Sequence, residues 1–315
     1  MQKKRLFNRK GVFFTFLAFI LSTIIILSFT VEKEYRLKDK MSVVEIRINT
    51  LNNFFIDVEK DLTRGLYISG FRSFLAMEEY ISNNGVYLDD VNVRFREAML
   101  NGTVNIIPIT ILQNQTFKEW AMKINDKAMK IDIKSNINIV NLTLYHIDPW
   151  NLGLLAYVNI TIADNRKTAS FSKISNISTT ISILGFEDPF YTINSYGRVF
   201  NVIVKTDVLD FNDVSQLKRH LNYSFYKESI TSPDFLMRMN GNYSNSTLGI
   251  ESLVNVNDFT LQGLIPNIKS NVDYLYLGNQ TPIICLVNQT IEDPTFSWFR
   301  LDDGHLGNYS AICKP

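Results

Sequence analysis

What this sequence has little of narrows its chemistry first. Two cysteines, Cys285 and Cys313, and three histidines, His146, His220 and His305, are spread over 315 residues. None of them falls in a thiolate-knuckle spacing or a Glu-x-x-His frame, so no metal ligand set is visible. Neither charge sign dominates: 32 Lys+Arg face 31 Asp+Glu for a net charge of +1. The phosphate attraction that drives nucleic-acid binding therefore has no source, and nucleic acid is not an expected partner. A Gly-x-Ser-x-Gly elbow, a phosphate-cradling glycine loop and a dinucleotide fingerprint are all missing. Pairing Cys285 with His305 as a thiol nucleophile would sacrifice a disulfide. The expectation is a non-enzymatic chain with no cofactor.

Two polar or aromatic features stay open. Asp302-Asp303-Gly304-His305 reads as a cation site or a turn, and Asp-Gly favours the turn. Trp120, Trp150 and Trp298 could stack on sugars or fill cores, and the core reading is the plainer one.

The N-terminus sets the topology. Residues 1–11 carry Lys3, Lys4, Arg5, Arg9 and Lys10 without an acid, and residues 12–31 then run without a charge. Twenty residues at 1.5 Å rise span about 30 Å, a bilayer core. Basic residues before the run and mixed signs after it (Glu32 to Lys40) place the N-terminus in the cytoplasm and the remainder outside, in a single-pass cell-membrane protein. Lipid is thus the first expected partner, through residues 12–31. A secretory signal is the competing reading, but Ser28-Phe29-Thr30 is a poor cleavage site; a cut between Gly11 and Val12 would leave the apolar helix as a new N-terminus.

Beyond the membrane, Leu37, Met41, Val44, Ile48, Leu51, Phe55, Val58 and Leu62 alternate at four and three, a helical seam. It could pair with another helix or lie along the protein's own domain. A stalk helix is expected over 32–84, bending near Gly65 to Gly70 and ending at Asn83-Asn84-Gly85. Shorter helices follow at Asp89 to Leu100 and Phe117 to Lys130, within a connecting region 85–130.

From residue 131 the period becomes two. Ile137 and Ile139, Leu142 and Leu144, Ala156 to Ile162, and Ile177 to Ile183 alternate, with Val199 to Lys205 as a further strand. Turn signals at Asp148-Pro149, Asp164-Asn165-Arg166, Glu187-Asp188-Pro189 and Tyr196-Gly197 space these runs like an antiparallel sandwich. Residues 131–315 should form a β-rich ectodomain, dividing near 207–264 if it has two parts. A short helix is expected around Val214 to Leu221 and a loop at Asn240 to Thr247, with strands at Val272 to Leu277, Pro282 to Val287 and Phe296 to Leu301. The fold class expected is α+β.

Export gives Asn-x-Ser/Thr motifs meaning. They start at Asn101, Asn114, Asn141, Asn159, Asn176, Asn222, Asn242, Asn245, Asn279, Asn288 and Asn308. Chance would supply about five in such a composition, although an Asn-rich genome inflates the number. All eleven are candidate N-glycosylation acceptors. Export also predicts a Cys285–Cys313 disulfide rather than two separate thiols.

The junction Arg9-Lys-Gly-Val-Phe-Phe-Thr15, with its basic lead and immediate apolar helix, resembles the start of a type IV pilin or pseudopilin. The segments Gly185 to Tyr191, Asp234 to Asn240, Gly249 to Val254 and Phe299 to Leu306 resemble uncharacterised archaeal membrane-anchored surface proteins. The resemblance implies prepilin-type cleavage after Gly11 and bundling of the helix with itself or other pilin-like subunits. Phe16 stands where bacterial major pilins carry glutamate, which turns the implied role toward a minor or tip subunit. The alternative is a permanently anchored ectodomain that binds glycan, envelope or protein without polymerising.

Overall fold

The computed structural model describes residues 9–165, 169–208, 210–287 and 293–313. The basic residues at 1–8, Arg166 and the motif at Asn288 lie outside them, as do the side chains of Arg9, Lys10 and Leu37. The architecture is α+β. Helix α1 (Arg9–Asn84) is continuous over 76 residues, and its two halves have different surroundings. The side chains of Val12, Phe16, Ile24 and Phe29 are exposed, and exposure persists through Met41, Ile46 and Ile48. From Leu51 onward the seam is buried: Leu51, Phe55, Val58, Leu62 and Leu66, then Phe74, Met77 and Ile81. Each such side chain contributes about 1.5 to 3 kcal/mol by leaving water. The helical periodicity therefore serves the protein's own domain in its second half and leaves the first half uncovered.

The surface receiving α1 is a three-stranded antiparallel sheet of β3 (Ile133–Asp148), β4 (Asn151–Asp164) and β5 (Ser170–Ser182), in that order. Its inner face presents Ile137, Leu144, Leu154, Val158, Ile160 and Ile181, all buried. Helix α1 lies across β4 and β5, and α3 (Phe117–Met129) covers β3. The layer opposite this sheet is helical, not a second sheet, so the β-sandwich expectation is replaced by helix on sheet. Alternation reports that one face is buried and says nothing of what buries it. The change of parity between Ile139 and Leu142 is a bulge inside one strand: the register with β4 shifts between Ile139 and Asn141, and Val140 is exposed.

Gly65 and Gly70 do not break α1. A Cβ at Gly65 would stand 2.6 Å from the Trp120 ring, and one at Gly70 would collide with Leu154 and come 2.9 Å from Ile181 Cδ1. Both glycines admit a neighbour to the helix backbone. Helix α2 (Val91–Asn101) is capped by Asp90 and ends at Gly102 in the left-handed region. The ribbon of β1 (Thr103–Val104) and β2 (Ile107–Pro108) leads to α3, whose start is a capping box of Thr116 and Glu119.

The remainder is built from short elements: α4 (Pro189–Asn194), α5 (Val214–Tyr223), β6 (Tyr226–Glu228), α6 (Phe235–Met239), β7 (Ile250–Ser252), α7 (Val256–Leu261), α8 (Asp273–Leu277), β8 (Ile284–Leu286), β9 (Arg300–Asp302) and α9 (Asp303–Leu306). Strands β6 and β7 pair, as do β8 and β9. Asp188, Asp213, Asp234 and Asn255 each cap the helix that follows by accepting a backbone N–H. Two expected strands are corrected. Val272 to Leu277 is helix α8 after a single bridge at Val272, and Val199 to Lys205 makes only isolated bridges at Val202 and Lys205. A second apolar cluster gathers Phe190, Leu217, Leu253, Tyr276, Phe299 and Leu301.

Candidate functional site

The exposed half of α1 is the first functional element. Its apolar stretch is long enough to cross a bilayer. Four of the five hydroxyl side chains at 12–31 are satisfied internally: Thr15 donates to Val12 O at 2.9 Å, Ser22 to Phe19 O at 2.8 Å, Thr23 to Ile20 O at 2.8 Å and Thr30 to Leu27 O at 2.8 Å. A hydroxyl bonded to its own helix needs no water, the condition that a lipid surrounding imposes. Gly11 and Val12 lie inside this helix just past its start, and nothing approaches the space where a Gly11 side chain would stand.

The glycan motifs occupy the surface. Asn101, Asn114, Asn141, Asn176, Asn222, Asn242, Asn245, Asn279 and Asn308 are exposed, and Asn159 is half-buried. Asn255 and Asn271, which belong to no motif, are buried. Three acceptors share the outer face of the main sheet, where Asn141 and Asn176 flank Tyr157 in one register row and Asn159 lies in the next. Exposure is what an acceptor requires. Cys285 and Cys313 form a disulfide with Cα atoms 5.5 Å apart and a sequence separation of 28, which ties the C-terminal segment to β8. By loop-closure entropy it stabilises by about 3 to 4 kcal/mol.

The three histidines lie in three different settings. His146 on β3 places Nε2 3.2 Å from the Asp234 carboxylate that caps α6. His220 is buried on α5 against Thr206 (3.1 Å), and burial together with the Lys227 charge pushes it down to about 3, so it is neutral. His305 is the one in a constellation. Its Nδ1 meets Asp302 at 2.7 Å and its Nε2 meets Glu251 at 3.4 Å. Burial alone would lower its pKa, but hydrogen bonds to Asp302 and Glu251 and their charges raise it to about 9. Burial likewise pushes Glu251 up, and the His305 hydrogen bond and charge with Lys227 overcome it, bringing Glu251 to about 2. Glu251 also accepts from Ser232 (2.7 Å) and Tyr309 (3.1 Å).

Lys227 connects this group to a cavity of about 430 Å³ rimmed by Pro149, Ser229, Thr231, Thr247 and Asn308. Its ammonium lies 3.5 Å from Glu251 and 3.9 Å from the centre of the Tyr309 ring. The arrangement limits the chemistry. The two ring N–H groups of a protonated His305 are taken up by Asp302 on one side and by Glu251 and the Tyr274 hydroxyl (3.3 Å) on the other. The constellation clamps α9 onto β7 by paired charge. The Asp302 to His305 segment is accordingly a short helix start with an internal ion pair. Among the described residues, no group of three or more His, Cys, Asp and Glu is placed to hold a metal ion.

Sequence reasoning missed the residue at the centre of this lobe. Arg238 is fully buried and faces two buried carboxylates, Asp188 and Asp273, the latter at 2.9 Å. It also donates to the carbonyl of Ile250. Asp188 accepts from the Tyr226 hydroxyl at 2.8 Å, and Asp273 from Ser252 N–H and Oγ at 3.0 and 2.9 Å. Burial and the Asp188 charge push Asp273 up to about 6 against the pull of Arg238. The four segments singled out above for their resemblance supply Asp188, Arg238, Glu251, Ser252, Asp302 and His305. What they have in common is this buried polar scaffold.

Of the tryptophans, Trp150 is buried and donates to Glu228 at 2.7 Å, and Trp298 is half-buried between Phe296 and Phe299. Trp120 packs on Gly65 and borders an open groove. Comparison with family models, characterised proteins and solved structures returned no match.

Proposed function

We propose that this chain is a non-enzymatic, pilin-like subunit of the cell surface, minor or tip in role, held in the membrane by residues 12–31 with its C-terminal domain outside the cell. The observation that carries this reading is the division of α1. One half is apolar and uncovered, available to lipid before assembly and to other apolar helices after it, while the other half is laid on a sheet and fixes the domain to the rod. The exposed acceptors and the disulfide support the extracytoplasmic side. N-terminal sequencing of the mature protein tests it: a chain beginning at Val12 supports prepilin-type processing, and an intact Met1 removes that support.

The second reading is an ectodomain anchored for good that binds glycan, envelope or protein without polymerising. It is favoured by the groove beside Trp120, which offers a contact surface away from the apolar stretch of α1 at residues 12–31. An intact N-terminus with the chain still in the membrane would select it.

A further inference from the structure

We propose that the groove between α1 and α3 binds an acidic glycan, a short run of sugars bearing carboxylates such as uronic acids. Two cavities, of about 410 and 330 Å³, share Asp61, Ile124 and Lys127 and so form one continuous groove. Its floor is apolar, with Phe54, Val58 and Ile124 from the two helices, and Trp120 stands at one end with its ring braced on the Gly65 backbone. Apolar and aromatic floors suit the C–H faces of sugar rings, and a few convergent polar groups then fix orientation.

The rim decides the ligand's charge. Lys60, Arg64, Lys123, Lys127 and Lys130 outnumber Asp57, Asp61 and Asp126 by five to three. Among the described residues the one ion pair within the groove joins Lys60 to Asp57 at 3.9 Å. Lys123 already donates to the Asn114 carbonyl at 2.6 Å, which leaves Arg64, Lys127 and Lys130 for ligand carboxylates. The interleaved aspartates favour a ligand with hydroxyls between its carboxylates over one whose side chains are carboxylates alone, such as an acidic peptide. They accept hydrogen bonds from hydroxyls, which sugars supply and glutamate side chains do not. A lipid headgroup is out of reach: Phe54 lies 23 residues beyond Val31, about 35 Å along the helix, several Debye lengths from a bilayer surface. The inference needs only an extracytoplasmic domain and stands whether or not the chain polymerises.

The test uses the full chain in detergent micelles, produced in a host that adds no N-glycan so that sugar on Asn114, whose carbonyl Lys123 contacts at 2.6 Å, does not enter the groove. A short oligogalacturonate is titrated by calorimetry. Binding is expected, weakening as salt is raised and falling at least about tenfold in the Arg64→Glu, Lys127→Glu double variant. Both side chains are exposed, so the variant should keep its melting temperature. Reversing two exposed cations elsewhere, Lys134 and Arg198, should leave affinity unchanged. No binding to the wild type, or equal loss in the control variant, would overturn the proposal. Equal affinity for polyglutamate would overturn the sugar assignment, and equal affinity for a neutral glucan would overturn the role of charge.

Discussion

Replacing Arg238 by methionine keeps much of the volume and removes the one cation that two buried carboxylates share. Asp188 retains the Tyr226 hydroxyl and the Phe190 N–H, and Asp273 retains Ser252, but among the described residues neither keeps an ion-pair partner. Breaking a buried pair from one side costs about 3 to 5 kcal/mol, a large part of an ordinary domain's 5 to 15. The pH dependence follows from the same geometry. A carboxyl whose folded pKa is raised, as Asp273 is to about 6, contributes nothing below the unfolded value near 3.8. Its penalty builds as pH rises between the two values and is complete above the folded one. Without Arg238 the folded value climbs further, so the variant's deficit should be larger at pH 7.5 than at pH 5 and shrink on acidification. Chemical denaturation of the full chain in detergent, followed by near-ultraviolet circular dichroism, measures it. Adding Asp188→Asn and Asp273→Asn should recover most of the loss. A deficit below about 1 kcal/mol at pH 7.5, or one that grows on acidification, would refute the reasoning.

Three other outcomes follow from single features. Reducing the Cys285–Cys313 bridge, or Cys313→Ser, should cost about 3 to 4 kcal/mol in the same denaturation assay and expose the C-terminal segment to limited proteolysis. His305, with its folded pKa raised to about 9, contributes stability that is fully present below 6.5 and lost as pH rises through 9; His305→Gln should flatten the stability profile between pH 7 and 10. Gly70→Ala drives a methyl group into the tips of Leu154 and Ile181 and should cost about 1 to 3 kcal/mol of thermal stability, with a smaller loss when Leu154→Ala is added.

The elements that repeat over long stretches were legible before any coordinates. The apolar run, the seam from Leu51 to Leu62 and the alternation of β3 to β5 are periodic signals carried by many residues. What failed was short or non-local. Val272 to Leu277 has the apolar and aromatic content of a strand, yet Asp273 to Leu277 are all buried, and a five-residue helix hidden on every side carries no period to distinguish it. The glycines of α1 suggest bends because a sequence does not reveal Trp120 and Leu154 packing against them. Arg238 could not have been paired with Asp188 and Asp273, 50 and 35 residues away, by any local pattern. The groove is illegible for the same reason, since its two walls lie about sixty residues apart on helices that meet only in the folded chain.

The account rests on residues 12–31 crossing the membrane and leaving the rest outside. The direct measurement is labelling of a Lys134→Cys reporter, exposed on the sheet's outer face, with a membrane-impermeant maleimide in intact cells, together with alkaline washing of the membranes; the native cysteines are bridged and silent. Labelling without permeabilisation, on a chain that stays in the washed membrane, is the predicted result. A reporter that reacts only after lysis, or a chain released into the wash, would contradict it.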